Sequence, residues 1–265
     1  MSALDPILHL RTNFETIIRK AGGQTLPELL ESTDNFIRCL TGLPHPLGNI
    51  VIVRNGDEGH FKEVITEVES RSAEQSFPAA AILFPDVNPD SFATILEERG
   101  WVLMDKMPGM WMEIPEGFSV GSLAEGVDVR HASDEDALAI AVALLAEGYP
   151  IPFEVSEFFM RGIHLEGEQS NGSMANFIAT VDGEPAACSS VCIEDGVAGI
   201  YCVATLEKAR GRGLGTAITR AAVEYGRKHG ANHALLHATE MGEPIYQKIG
   251  FVEKSRIPAY GFGLG

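Results

Sequence analysis

The sequence predicts an α/β protein of two similar lobes, each a mixed, mostly antiparallel sheet flanked by helices. Three patterns lead there. From residue 177 to 204 hydrophobicity alternates with a period of two and is broken at Asp182-Gly183 and Asp195-Gly196, the turn chemistry of consecutive antiparallel hairpins. A glycine-rich loop then opens a helix, followed by strand, helix and strand. Finally, Gly100-Trp101-Val102 and Pro108 recur as Gly250-Phe251-Val252 and Pro258 at a constant offset of 150 residues, with Lys106 matched by Arg256. The order of elements upstream of Gly100 repeats as well, so the halves read as two copies of one fold.

Taken in order, Met1 to Lys20 is amphipathic and mixed in charge, without an apolar leader. The N-terminal half then predicts a strand at 49–53, a helix from about Gly59, a strand at 79–84 and a helix at 90–98. Met104, Met107, Met110 and Met112, with Trp101 and Trp111, form a soft apolar stretch suited to core or inter-lobe packing. Turn formers from Pro115 to Gly126 mark a linker, dividing a lobe of residues 1–120 from a domain of residues 127–265. Beyond it come a strand at 127–131, a helix through about Glu147 opened by Ser133 with Asp136, and a helix at 155–165. After the three hairpin strands, Leu214, Ala217, Ile218, Ala221, Ala222 and Tyr225 share one helical face that Gly230 terminates. The chain closes with a strand at 232–238, a helix at 242–249 and a strand at 251–257.

Twenty Lys and Arg against 37 Asp and Glu give a formal net charge of −17. Such a surface repels polyanions and anionic membranes, so neither nucleic acid nor membrane is an expected partner. An anionic ligand would need a local cationic patch or aimed backbone amides. Cys39, Cys188, Cys192 and Cys202 form no C-x-x-C pair and read as reduced thiols; with no long apolar run, a cytoplasmic protein is expected. His233 and His237 share a strand face, as do Cys188 and Cys192, but neither pair has metal-site spacing, so packed side chains and no metal are expected.

The segment from Val203 to Thr216 supplies the patch that the charge demands. Gly211, Gly213 and Gly215 alternate ahead of a helix, whose first amides and dipole favour an anion, and Lys208, Arg210 and Arg212 add positive charge. No lysine followed by Ser or Thr closes the loop, which excludes a nucleoside-triphosphate loop. A dinucleotide-binding turn fails on Thr216 at its third glycine position and on the hairpins that precede the loop, although Glu240 ends the next strand where a ribose-binding acid could sit.

Arg210-x-x-Gly213-x-Gly215 after a strand resembles the Gln/Arg-x-x-Gly-x-Gly/Ala motif of the GCN5-related N-acetyltransferases, the GNAT family. Tyr246, four residues before Gly250-Phe251, resembles a second feature of that family, and the element order agrees from residue 127 to about 260. The resemblance implies tandem GNAT folds with acetyl-CoA as cosubstrate and a small-molecule or peptide amine as acceptor. It implies that the amides of Gly211, Arg212, Gly213, Leu214, Gly215 and Thr216 hold the pyrophosphate, with charge from Arg210 and Arg212. Main-chain groups of Val203, Ala204 and Thr205 would pair with the pantetheine arm, and Tyr246 would protonate the departing thiolate. Leu96 stands 150 residues before Tyr246, and the segment from Arg54 to Gly59 lacks the paired arginines and alternating glycines. The N-terminal lobe therefore reads as a degenerate copy without a phosphate loop.

No base is legible. The place where some members carry a glutamate is Gly199; Tyr201 is no carboxylate, and Glu194 and Glu240 have the character of surface groups. Cys202 near the acyl position has no evident histidine partner, which favours direct transfer over a covalent acyl-enzyme. The alternative is an acyl-CoA-binding regulatory protein with an idle site.

Overall fold

The computed structural model describes residues 4–87, 89–149 and 151–264; residues 1–3 of the amphipathic start lie outside them. The elements are α1 (Pro6–Thr25), β1 (Leu30–Ser32), β2 (Phe36–Leu40), β3 (Asn49–Val53), α2 (Glu58–Gln75), β4 (Ala79–Ile82), α3 (Pro89–Glu98) and β5 (Val102–Glu113). After the linker follow β6 (Val127–His131), α4 (Glu135–Gly148), α5 (Phe153–Gln169), β7 (Met174–Val181), β8 (Glu184–Glu194), β9 (Val197–Thr205), α6 (Leu214–Lys228), β10 (His233–His237), α7 (Glu243–Ile249) and β11 (Val252–Phe262). Among the described residues these strands form a single 11-stranded sheet in the order β1-β2-β3-β4-β11-β5-β10-β9-β8-β7-β6.

The hairpins β7–β8 and β8–β9 form as the alternation predicts, with Asp182 and Asp195 in left-handed turn conformations. The start of α4 differs from the expectation. Asp134 rather than Ser133 caps it, its carboxylate accepting the Ala137 amide at 2.8 Å, because the helix begins one residue later than the Ser133 signal implied. The Met-rich stretch after Trp101 is a full strand, β5, whose alternation is masked by apolar residues on both faces.

The register at the centre explains the repeat. β5 and β11 pair antiparallel, with Met107 opposite Ile257, Lys106 opposite Pro258 and Arg256 opposite Pro108. Met107 and Ile257, equivalent positions 150 residues apart, thus face each other, and the pairs on either side are related by a pseudo-twofold axis at that point. The halves also exchange these strands: β11 inserts between β4 and β5, and β5 inserts between β11 and β10. Each half of the sheet is completed by a strand from the other half of the chain.

Packing follows the same plan. On one face, Leu10, Ile17 and Ile18 of α1 join Phe158 and Ile163 of α5 over buried residues from β2 through β10, a core common to both halves. On the other face, α2 and α3 cover the N-terminal strands, while α6 and α7 cover the C-terminal ones. Lys20 pairs with Glu194 at 3.0 Å and Gln24 donates to Glu166 at 2.9 Å, tying α1 to the C-terminal half.

Candidate active site

The parallel strands β9 and β10 are paired only as far as Ile200 and Leu236. Beyond that point β9 stays with β8 up to Thr205 but diverges from β10. A bulge lies where they part: Tyr201 opposes Ser190 and Ala204 opposes Cys188, with Cys202 at φ 52°, a conformation uncommon for a residue with a side chain. Val203, Ala204 and Thr205 therefore present to the opening a main-chain edge that no strand pairs. An extended ligand arm can pair there.

The loop after β9 leads to a helix start of unusual electrostatics. Gly213 is the N-cap of α6 at φ 78°, which only glycine adopts without strain, and it supplies no side chain to the first-turn amides. That turn also lacks an acidic residue, so the amides of Leu214, Gly215 and Thr216 and the positive end of the helix remain available to an anion. Arg210 and Arg212 are exposed beside it, Arg210 donating to the Thr205 carbonyl at 3.3 Å and Arg212 lying 3.5 Å from Asp182. Leu214 is committed to the core by its side chain and offers only its main chain.

The N-terminal half shows the contrast. The corresponding turn between β3 and α2 is short, and the Asp57 carboxylate caps α2 by accepting the His60 amide at 2.6 Å. An anion is excluded there by charge as well as by occupancy. Arg54 is held by Glu15 at 3.0 Å, and Arg11 bridges Glu15 and Asp86 at 2.7 Å each, so ion pairs made by α1 fill that end of the lobe.

Tyr246 lies on α7 with its ring buried edge-on to Phe251, centroids 6.2 Å apart. Its hydroxyl has no hydrogen-bond partner among the described residues. Burial, reinforced by the nearby Tyr149 phenol, pushes its acidity well above the ordinary tyrosine range, so it holds its proton at neutral pH. Tyr149, just past α4, is raised by burial and then by Asp105 and Cys202, which places these side chains in one neighbourhood. Burial also pushes the Cys202 thiol up to about 11, leaving little thiolate for a nucleophile.

Two functional candidates on the α1 side escape sequence reasoning. Asn13 of α1 accepts a hydrogen bond from the Tyr201 hydroxyl at 2.8 Å and donates to the Cys192 carbonyl at 3.3 Å. A Cβ on Gly199 would overlap the Asn13 side-chain oxygen. The position that seemed to lack a carboxylate is filled by a side chain some 190 residues away in sequence, for which no local pattern exists. His237, at the end of β10, is flanked by Phe14 at 5.1 Å, Phe84 at 5.8 Å and Tyr201 at 6.1 Å between ring centroids. Both its ring nitrogens are shielded from water, and no side chain among the described residues is hydrogen-bonded to them. Burial pushes its pKa down to about 4, with the Leu10 main chain opposing. His233 stacks on Trp111 at 5.0 Å instead. Glu194 is held by Lys20 at the hairpin end of β8, remote from the opening, and Glu240 is exposed.

A cavity of about 390 Å³ is lined in part by His131, His164, Tyr225 and His229 near the C-terminus of α6. It lies about one helix length, roughly 20 Å, from the glycine-rich loop. It is separate from the opening between β9 and β10.

An opening between parallel strands at their carboxyl ends, followed by an uncapped glycine-rich helix start, is an arrangement that fits the GNAT fold. Comparison with known proteins agrees. Residues 140–251 match the model of the acetyltransferase (GNAT) family. A GCN5-related N-acetyltransferase from Kribbella flavida superposes with a TM-score of 0.68 at 19% identity, over 94% of this chain and 95% of the other. One from Sphaerobacter thermophilus gives 0.63 at 13% identity over 98% and 94%. A tandem GNAT protein from the clavulanic acid biosynthesis pathway gives 0.57 at 15% identity over 86% and 78%, in keeping with the tandem arrangement. No curated protein sequence matches this chain. No helix among the described residues is long and apolar enough to cross a membrane.

Proposed function

We propose that this protein transfers the acetyl group of acetyl-CoA directly to an amine acceptor. Residues 127–265 act as the catalytic domain, completed by β5, and residues 1–120 form a companion lobe without a phosphate loop. The observation that carries the reading is the contrast between two equivalent helix starts: α6 is uncapped and preceded by three basic residues, whereas α2 is closed by Asp57. In this reading the amides of Gly211 to Thr216, with Arg210 and Arg212, hold the pyrophosphate. Val203, Ala204 and Thr205 pair with the pantetheine arm, which directs the thioester into the opening beside Cys202. Tyr246, which retains its proton at neutral pH, donates it to sulfur as the C–S bond breaks. The acidic surface draws cationic amines toward the molecule without selecting among them.

Calorimetric titration with acetyl-CoA tests this reading. One site per chain is expected. Replacing Arg210 and Arg212 together by Ala should weaken binding about 10- to 100-fold, as removal of two charge-assisted contacts does, with little change in thermal midpoint because both side chains are exposed. Amine-dependent release of free thiol then identifies the acceptor. Wild-type protein that fails to bind acetyl-CoA would refute the reading, and binding without turnover on any amine would favour a regulatory role.

A further inference from the structure

Acetyl transfer also needs a place for the acceptor, and the sheet leaves one beside the opening. We propose that Asp105 of β5 and Tyr149, just past α4, form the acceptor subsite, and that this subsite selects amines carrying a second, cationic nitrogen. The inference rests on the acetyl-transfer reading and deepens it.

Register places Asp105 at the opening. β10 ends at His237, which is opposite Gly109 of β5 and lies one residue past the last β10 partner of β9. β5 extends beyond that end as far as Val102, paired there with β11 alone among the described residues. Asp105 therefore faces the Ala204 and Thr205 end of β9 across the gap that β10 vacates, at least two strand spacings, roughly 10 Å, wide. Alternation fixes its side of the sheet. A Cβ on Gly109 would meet Leu10 of α1, and Met107 and Asp105 fall on that same face, Asp105 opposite Ala259 in the core that α1 and α5 cover.

Tyr149 reaches the same space from the β9 side. It follows Gly148, where a Cβ would lie 3.1 Å from the Ala204 side chain and 3.4 Å from the Thr205 main chain. Its phenol is pushed up by burial, then by the charge of Asp105 and by Cys202, as one shared space requires. Tyr246 comes from α7 on the opposite face, so the proton donor and the acceptor meet the thioester from different sides of the sheet.

The carboxylate of Asp105 is exposed and anchored, the Lys106 amide donating to it at 2.7 Å, and it makes no ion pair among the described residues. Glu15 of α1 and Asp86, by contrast, are neutralised by Arg11 and Arg54. Asp105 is left with its charge at the opening. The nitrogen that attacks the thioester has to be uncharged, so it cannot also neutralise this carboxylate. A second cationic nitrogen on the same acceptor can, with the part-exposed ring of Tyr149 beside it.

The test uses the full chain as wild type, Asp105→Asn and Tyr149→Leu; the Asn side chain keeps an oxygen for the Lys106 amide. The probes are terminal diamines from propane to octane, each paired with the monoamine of the same chain length. Wild type is expected to acetylate at least one diamine with kcat/KM about tenfold or more above that of its monoamine. Each variant should raise KM for that diamine about tenfold with kcat little changed, leave the monoamine unaffected and bind acetyl-CoA like wild type by calorimetry. The ratio of diamine to monoamine is a readout that a general loss of stability would not move. A wild type that acetylates amines but prefers no diamine over its monoamine overturns the proposal, as does either variant that keeps the preference; the parent reading then stands. If wild type binds no acetyl-CoA or acetylates no amine, the parent reading falls and this inference with it.

Discussion

Deleting residues 1–120 tests the strand exchange most directly. The deletion removes β5 from between β10 and β11, leaving both without a partner on that edge. It also strips the C-terminal half of Met110, Trp111, Met112 and Ile114, all buried, and of the α1 residues that cover its sheet. At about 1.5–3 kcal/mol for each large apolar side chain fully buried, these four residues alone represent roughly 6–12 kcal/mol. That equals most or all of the roughly 5–15 kcal/mol by which a domain is stable. Fragment 121–265 should therefore be aggregated or without a cooperative urea transition. Co-expressed with fragment 1–120, it should be recovered as a 1:1 complex with a cooperative transition, since the cut falls in the linker and spares every strand. Circular dichroism during urea titration and size-exclusion chromatography measure both outcomes. A fragment 121–265 that is monomeric, unfolds cooperatively and turns over like the full chain would refute the reasoning.

Three further outcomes follow from the same geometry. Tyr246→Phe should lower kcat about 100-fold or more with KM for acetyl-CoA and thermal midpoint nearly unchanged, because the lost hydroxyl has no partner among the described residues to strand; steady-state kinetics decide it, and a loss confined to KM would contradict the assigned role. Gly199→Ala should destabilise by about 1–3 kcal/mol through overlap with Asn13, and combining it with Asn13→Ala should cost less than the two separate losses added together, as measured by a urea double-mutant cycle. Additive losses would mean that the two positions do not meet. Folded His237 resists protonation to about pH 4, whereas an unfolded histidine takes its proton near 6.5. Between those values protons favour the unfolded chain, so stability should rise with pH across this window, by up to about 3 kcal/mol from this residue, and its contribution should level off above 6.5. Urea midpoints at pH 4.5 and 7 should differ more for wild type than for His237→Gln; equal differences would place His237 in water.

Where the signals are local, the sequence is sufficient. The Asp-Gly turns, the period-two strands and the glycine loop before Leu214 each constrain a few neighbouring residues, and backbone sterics turn them into hairpins and a helix start. The repeat at Gly100 and Gly250 was equally legible, but its consequence was not. Identical letters 150 residues apart indicate common descent, while their meeting as Met107 opposite Ile257 depends on which strand inserts where. β5 itself was hidden, because its second half, Pro108 to Met112, is buried on both faces and so loses the alternation by which strands are recognised.

The candidate site divides along the same line. Arg210, Gly213, Gly215 and Tyr246 stand out in the sequence because anion binding at a helix start and a proton donor on the next helix are properties of short segments. Asn13 against Gly199, and His237 enclosed by Phe14, Phe84 and Tyr201, are contacts between distant parts of the chain. By itself the sequence determined the hairpins and most helices, the repeat at an offset of 150 and the glycine-rich loop before α6, since backbone and dipole physics act over a few residues. Tertiary structure alone decided that the lobes exchange strands, that Asn13 of α1 packs against Gly199 and that His237 is sealed from water by aromatic rings. Those outcomes depend on which surfaces meet, and burial and hydrogen bonding are settled only when they do.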